Sequence, residues 1–135
     1  MSSDFVKPLP LPTPTSQPFW DGLNAGKILI QRCADCGTWV FYPRSRCSNC
    51  LSATLHWREV SGAGVLYTFT LGRQPTAPHF ADEVPQKLAI VELDEGVRMT
   101  STLVNVDEAD IRVGMKLKPV FDKQAGATLL RFEPI

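Results

Sequence analysis

Four cysteines fall within the stretch CADCGTWVFYPRSRCSNC, as two Cys-x-x-Cys pairs: Cys33 with Cys36, and Cys47 with Cys50. Ten residues separate the pairs. Thiols in this pattern have four uses: to hold a metal that carries electrons, to build a module that grips nucleic acid, to run redox chemistry, or to hold a fold together. A Cys-x-x-Cys turn sets two sulfurs on one side of an ion, and a second turn closes the tetrahedron. The ten connecting residues suffice for two short strands and a turn, the shape of a zinc ribbon. Gly37 follows the second cysteine, where the backbone turns sharply and a side chain is crowded. Cys33, Cys36, Cys47 and Cys50 are therefore read as the ligands of one metal ion.

Competing uses of the thiols are weaker. A redox pair needs one Cys-x-x-Cys on a thioredoxin-like βαβ scaffold, and no βαβ pattern surrounds these. Iron is the closer rival, because rubredoxin also uses two such turns. Rubredoxins are short and acidic, whereas this chain has 135 residues, fourteen acids against fourteen bases, and a long β-rich region after the cysteines. A site filled by four thiolates has no open position to activate water, so the expected ion is a structural Zn²⁺. Arg32, Arg44 and Arg46 flank the centre and offset its negative charge. Phosphate contact is the alternative role for Arg44 and Arg46.

Little else offers catalysis. With the cysteines committed, the two histidines remain. His56 lies in the alternating run LHWREV and reads as a strand residue at the surface. His79 lies in a long loop beside Asp82 and Glu83, with no nucleophile and no glycine-rich phosphate loop to accompany it. No catalytic residues are assigned.

The elements that position the cysteines follow from pattern. Residues 1–18 read as a proline-rich, extended arm, with five prolines within 7–18. The stretch 19–30 follows as a helical segment capped by Thr15 or Ser16, with Phe19, Trp20, Leu23 and Ile28 on its apolar face. The ribbon covers 31–54, with ILIQR as its entering strand and TWVFY as its return. From Leu55 to Ile135 six β-rich runs alternate with turn signals, and the segment DEADIRVGM interrupts them as a helical turn. This mainly β region is expected to close into a small barrel of five to six strands, an OB-fold, with an SH3-like barrel as the alternative. The loop 72–85 is long and proline-rich, as functional or partner-bound loops are. Tyr67 and Phe69 alternate with threonines, which places both rings on one face.

Composition excludes more than it assigns. Hydrophobic residues make up 44% and charged residues 21%, ordinary globular material. Zero net charge gives no electrostatic footprint for nucleic acid, so base stacking by Trp39, Phe41, Tyr42, Trp57, Tyr67 or Phe69 lacks its usual cationic support. No apolar run approaches the roughly 18 residues of a membrane helix. The first residues do not read as a signal peptide. A cytoplasmic address is expected.

PFWDGLNAGKILIQRCADCG, FYPRSRCSNC, WREVSGAGVLYTFT, FADEVPQKLAIVELDEGVRMTSTLVN and DIRVGMKLKPVF together resemble a known family. That family combines an N-terminal helical stretch, a rubredoxin-like zinc ribbon and a C-terminal OB-fold. Its members are described as acyl-CoA-associated, and many are small subunits encoded with thiolases or thiolase-like aldolases. The resemblance spans nearly the whole chain after the proline arm. It implies a non-catalytic accessory subunit in a hetero-oligomer, whose partner supplies the reacting groups. A coenzyme A thioester shared with the partner would need Arg or Lys for its phosphates, and the candidates are Arg44, Arg46, Arg73 and Lys87. Candidate partner contacts are Trp39, Phe41 and Tyr42 in the ribbon, with Pro78, His79, Phe80, Val84 and Pro85 in the long loop. A stand-alone OB-fold module that binds acyl-CoA or single-stranded nucleic acid is the alternative.

Overall fold

In a computed structural model, residues 9–75, 78–124 and 126–135 are described. The chain enters as helix α1 (Gln17–Asn24). Three strands follow around the cysteines: β1 (Ile28–Cys33), β2 (Trp39–Val40) and β3 (Leu55–Val60). Five more form the second sheet: β4 (Gly64–Gly72), β5 (Gln86–Leu93), β6 (Arg98–Thr102), β7 (Lys116–Gln124) and β8 (Ala127–Pro134).

Helix α1 forms because Phe19 and Leu23, one turn apart, both face inward and are buried. Pro18 stands in the first turn, where its missing N–H has no helical partner to lose. Ser16 is the N-cap residue, though its hydroxyl turns back to accept from the Thr13 N–H at 2.9 Å. The helix closes when Lys27 N–H reaches the Gly22 carbonyl at 2.8 Å. Ile28, placed on the helix face by spacing, is instead the first residue of β1.

The first sheet has the order β2-β1-β3, all antiparallel. The return strand is shorter than the pattern TWVFY implies, since only Trp39 and Val40 pair with β1. The run LHWREV, grouped by pattern with the barrel, pairs along its whole length with β1. It completes the ribbon sheet and hands the chain to the barrel.

The second sheet runs β6-β5-β4-β7-β8. A parallel bridge between Leu103 and Phe132 joins its two edges, and Val104 N–H donates to the Phe132 carbonyl at 2.8 Å. That closure makes a five-stranded barrel. The 3₁₀ turn Glu108–Asp110 carries the chain from β6 across to β7, which pairs with β4 and not with β6. A simple meander would have paired β6 with β7; the crossover and the parallel seam give OB-fold topology, not the SH3-like alternative.

Leu66, Val91, Leu93, Met99, Leu117 and Phe132 fill the barrel, and Phe19, Leu23, Ile28, Ile30 and Val60 continue the same core under α1 and the ribbon sheet. Thr128, buried on β8, donates to Asn24 Oδ1 at 2.7 Å and ties the helix end to the barrel. A bulge at Tyr67 shifts the β4–β5 register. The extra residue puts Tyr67 out in solvent while Phe69 packs against the core, so the two rings do not share a face as alternation implies. The Arg98 guanidinium lies 3.9 Å from the Tyr67 ring centre.

Candidate metal centre and its surroundings

The two Cys-x-x-Cys turns are built alike. Gly37 N–H donates to the Cys33 carbonyl at 2.9 Å, and Leu51 N–H donates to the Cys47 carbonyl at 3.0 Å. Cys33 N–H reaches the Thr38 carbonyl at 2.9 Å, and Cys47 N–H reaches Ser52 at 2.8 Å. Each knuckle turns through a residue with positive φ, Gly37 at 77° and Leu51 at 65°. Each is braced by the arginine that precedes its first cysteine. Arg32 Nε donates to the Gly37 carbonyl at 3.1 Å, and Arg46 Nη1 donates to the Leu51 carbonyl at 3.2 Å.

This geometry brings Cys33, Cys36, Cys47 and Cys50 together, with all four sulfurs within 4.8 Å of one another. Cys33 and Cys50 Sγ are 3.5 Å apart, as are Cys36 and Cys47 Sγ. A tetrahedral ion with metal–sulfur bonds of about 2.3 Å sets sulfurs about 3.8 Å apart, so the cluster fits a Cys₄ zinc site. Two main-chain donors, Asn49 N–H at 3.3 Å and Cys50 N–H at 3.5 Å, point at Cys47 Sγ. Such donors hold thiolate charge.

The thiols share their protons unequally. The Thr38 hydroxyl and N–H lower the Cys36 thiol to about 6. The Cys36 N–H lowers Cys33 as well. The Ser52 N–H also pulls Cys50 down, yet the Cys36 and Cys33 sulfurs beside it push its thiol up to about 12. Four sulfurs this close cannot all ionise on their own; a dication lets them. Among the described residues no other group of three or more His, Cys, Asp or Glu side chains converges well enough to hold a metal. A centre with four protein ligands has no free position for substrate.

The other expected site residues scatter. Trp39 is half-buried on β2, with Arg32 5.0 Å from its ring. Phe41 and Tyr42 turn toward α1, where Phe19, Phe41 and Tyr42 pack edge to face and Trp20 Nε1 donates to the Tyr42 hydroxyl at 2.9 Å. These aromatics wall one side of an apolar groove of about 540 Å³, with Leu88, Met99 and Leu129 of the barrel on the other side. Spacing in the sequence missed Trp20 as a partner of Tyr42, because the contact joins the helix to the far end of the ribbon.

Arg44 is set by Gln31, a buried residue of β1 that sequence reasoning passed over. Arg44 N–H donates to Gln31 Oε1 at 2.8 Å, and Gln31 Nε2 donates to the Arg44 carbonyl at 2.9 Å. The Arg44 side chain stays exposed. Arg73 pairs with Glu108 at 3.4 Å, at the surface. Arg73 and Lys87 share a cleft with Asp82, Val84, Pro85, Asp107 and Glu108, where carboxylates compete for the two cations. Pro78 is exposed, and Val84 and Pro85 are half-buried. The side chains of His79, Phe80 and Glu83 lie outside the described part of the structure. His56 is exposed on β3, opposite Arg32 on β1. No helix among the described residues is long and apolar enough to cross a membrane.

Fold and site together define a rubredoxin-like zinc ribbon joined to an OB-fold barrel. Two family models match the chain in that order: the ChsH2 rubredoxin-like zinc ribbon domain over residues 20–56, and the ChsH2 C-terminal OB-fold domain over 57–122. The chain belongs to this ChsH2, or DUF35, family. It is 36% identical to a DUF35 domain-containing scaffold protein of Methanothermobacter thermautotrophicus, over 68% of this chain and 69% of that one. It is 33% identical to the 3-oxo-4,17-pregnadiene-20-carboxyl-CoA hydratase alpha subunit of Mycobacterium tuberculosis, over 86% of this chain. The match spans only 36% of that subunit's length. Among solved structures, a chain of the "Ltp2-ChsH2(DUF35) aldolase" superposes with a TM-score of 0.81 at 29% identity, covering 93% of this chain and 98% of that one.

Proposed function

We propose that the chain is a non-catalytic accessory subunit. It binds a thiolase-like or aldolase catalytic chain and supports that chain's acyl-CoA chemistry, the cleavage or formation of a C–C bond by thiolysis or retro-aldol reaction. The observation that carries this reading is the closed four-thiolate centre, in a chain whose described residues gather no second group of three or more His, Cys, Asp or Glu side chains placed to hold a metal. Relatives that are named as a scaffold protein and as part of an aldolase support it.

In this reading the ion is zinc and its work is structural. It fixes two knuckles, which hold the Gln31-braced loop and the aromatic wall formed by Phe41 and Tyr42. Trp39, Phe41 and Tyr42 then face the partner, together with the 73–85 loop that carries Pro78, His79, Phe80, Val84 and Pro85. A coenzyme A thioester bound between the two chains meets Arg44 first. That guanidinium is exposed, whereas Arg46 braces a knuckle, Arg73 pairs with Glu108, and Lys87 lies among carboxylates. The complex works in the cytoplasm.

The test is co-expression with the thiolase-like or aldolase chain of the native host. The two chains should purify together, and the catalytic chain should lose activity or solubility when made alone. A chain that stays monomeric beside that enzyme, while the enzyme turns over at full rate without it, overturns the reading.

A further inference from the structure

The two knuckles share their hydrogen bonds and their bracing arginines but treat their outer sulfurs differently. Cys33 and Cys47 are buried, so a reagent from solvent meets Cys36 or Cys50, both exposed. Two residues beyond Cys36, the Thr38 hydroxyl stands 3.2 Å from its sulfur. The Thr38 N–H and the Asn49 side chain serve that sulfur as well. Two residues beyond Cys50 stands a matching hydroxyl, that of Ser52, and it is turned away. It donates to the Asp35 carboxylate of the first knuckle and accepts from the Thr54 N–H at 3.0 Å. Cys50 is left with the Ser52 N–H. Three donors therefore draw charge from the Cys36 sulfur and one from the Cys50 sulfur.

Sulfurs that ligate a metal are all thiolates, so what separates them is nucleophilicity, and hydrogen bonds to sulfur lower it. Cys50 is the exposed sulfur with the fewest such bonds, and Cys33 Sγ of the other knuckle lies 3.5 Å from it. A reactive thiolate beside a second thiol is the arrangement of a redox-sensing cysteine. We propose that the centre is a peroxide-sensitive site, in which Cys50 is the sulfur attacked and Cys33 the one that resolves it. The Cys50 thiolate attacks one oxygen of hydrogen peroxide; the S–O bond forms, the O–O bond breaks and hydroxide leaves. The Cys33 thiolate then attacks the Cys50 sulfenic acid; the S–S bond forms, the S–O bond breaks and a second hydroxide leaves. Each sulfur has lost one electron, the peroxide has gained two, and two protons from solvent turn the hydroxides into water. Cys36 and Cys47 remain, two thiolates where a structural zinc takes four, so the ion is released and the knuckles open. This goes beyond the accessory reading and needs no partner chain.

The zinc-loaded full chain tests this directly. Limiting iodoacetamide should label Cys50 first, as read by peptide mass spectrometry. Limiting hydrogen peroxide, quenched with N-ethylmaleimide, should give the Cys33–Cys50 disulfide and release one zinc ion for each disulfide, as read with a chromogenic chelator. Thr38→Val leaves all four ligands and the main-chain donor in place but takes the hydroxyl from Cys36. It should raise the share of first labelling at Cys36 by about threefold. First labelling at Cys36 in wild type, or equal labelling of the two, overturns the proposal. So does zinc retained under peroxide that fully oxidises an equal concentration of glutathione, or a first disulfide other than Cys33–Cys50. An unchanged Cys36 share in Thr38→Val also overturns it, since the donors would then not set the order of attack. No catalytic chain enters the assay, so failure of the accessory reading leaves these outcomes as they stand.

Discussion

Strand β4 begins and ends on glycine, and the two ends should respond to alanine with opposite signs. Gly64 lies opposite Leu93 of β5 and also pairs with Leu117 of β7, so it is held on both sides. A Cβ there would overlap the Glu92 carbonyl oxygen and come within 3.0 Å of the Glu92 carbonyl carbon and of Leu93 Cα. These are backbone atoms of a paired strand, and they cannot step aside without breaking the ladder. Gly72 lies opposite Gln86, and a Cβ there finds Gln86 Cβ at 3.6 Å, ordinary contact. Neither glycine is among those with positive φ. Alanine at position 72 should therefore stabilise, by about 0.4–1 kcal/mol, through the lost freedom of the unfolded chain. At position 64 the overlap costs about 1–3 kcal/mol and outweighs that gain. The unfolded-state gain is common to both variants, so the gap is the overlap cost; with about 3–5 °C per kcal/mol for a domain of this size, Gly64→Ala should melt about 3–15 °C below Gly72→Ala. Thermal and urea unfolding of the zinc-loaded chains measure the gap. A Gly64→Ala protein as stable as Gly72→Ala would refute the rigid seam on which the estimate depends.

Three further outcomes are expected. Cys47→Ser removes a fully buried ligand, so the purified chain should lose its zinc by metal analysis and, with the ribbon unfolded, its capture of the partner; full retention of zinc would contradict the four-ligand site. Asn24→Ala leaves the buried Thr128 hydroxyl without its acceptor and should cost about 1–2 kcal/mol in urea unfolding, with Thr128→Val in the same chain returning part of it; equal stability would dismiss the tie between helix and barrel. The Asn105 side-chain amide, with Lys118 beyond it, holds the Glu133 carboxyl below its ordinary range. A depressed folded value contributes stability that is complete above the ordinary 4.5 and is lost as pH falls through the folded value. Melting scans from pH 6 to pH 3 should therefore show a shallower acid decline in Glu133→Gln than in wild type, and parallel curves would count against the assignment.

The cluster of four cysteines was legible because its geometry is local. Each Cys-x-x-Cys turn closes on itself through bonds such as Gly37 N–H to Cys33, and only ten residues separate the pairs, so spacing alone forces the sulfurs together. The β-rich runs were legible for a similar reason, since alternation is a property of each strand. Their partners were not. LHWREV alternates as a barrel strand would, yet β1 claims it, because period-two patterning carries no label for the neighbour. The bulge at Tyr67 was invisible for the same reason: it exists only against the register of β5. Gln31 went unnoticed because a glutamine within a strand gives no hint that it will be buried and will hold the backbone of Arg44.

By itself the sequence determined a cluster of four cysteines, a mainly β chain with a barrel at its C-terminal end, and a net charge of zero. Those follow from spacing, period and charge, which need no knowledge of what lies opposite. Tertiary structure decided the closure through Leu103 and Phe132, the main core shared by helix, ribbon and barrel, and the pairing of Trp20 with Tyr42. It also decided that Arg73 and Lys87 sit among carboxylates while Arg44 stands clear, and that Leu51 carries a backbone angle suited to glycine. Each of these depends on residues distant in the chain or on a dihedral angle, and a one-dimensional pattern contains neither.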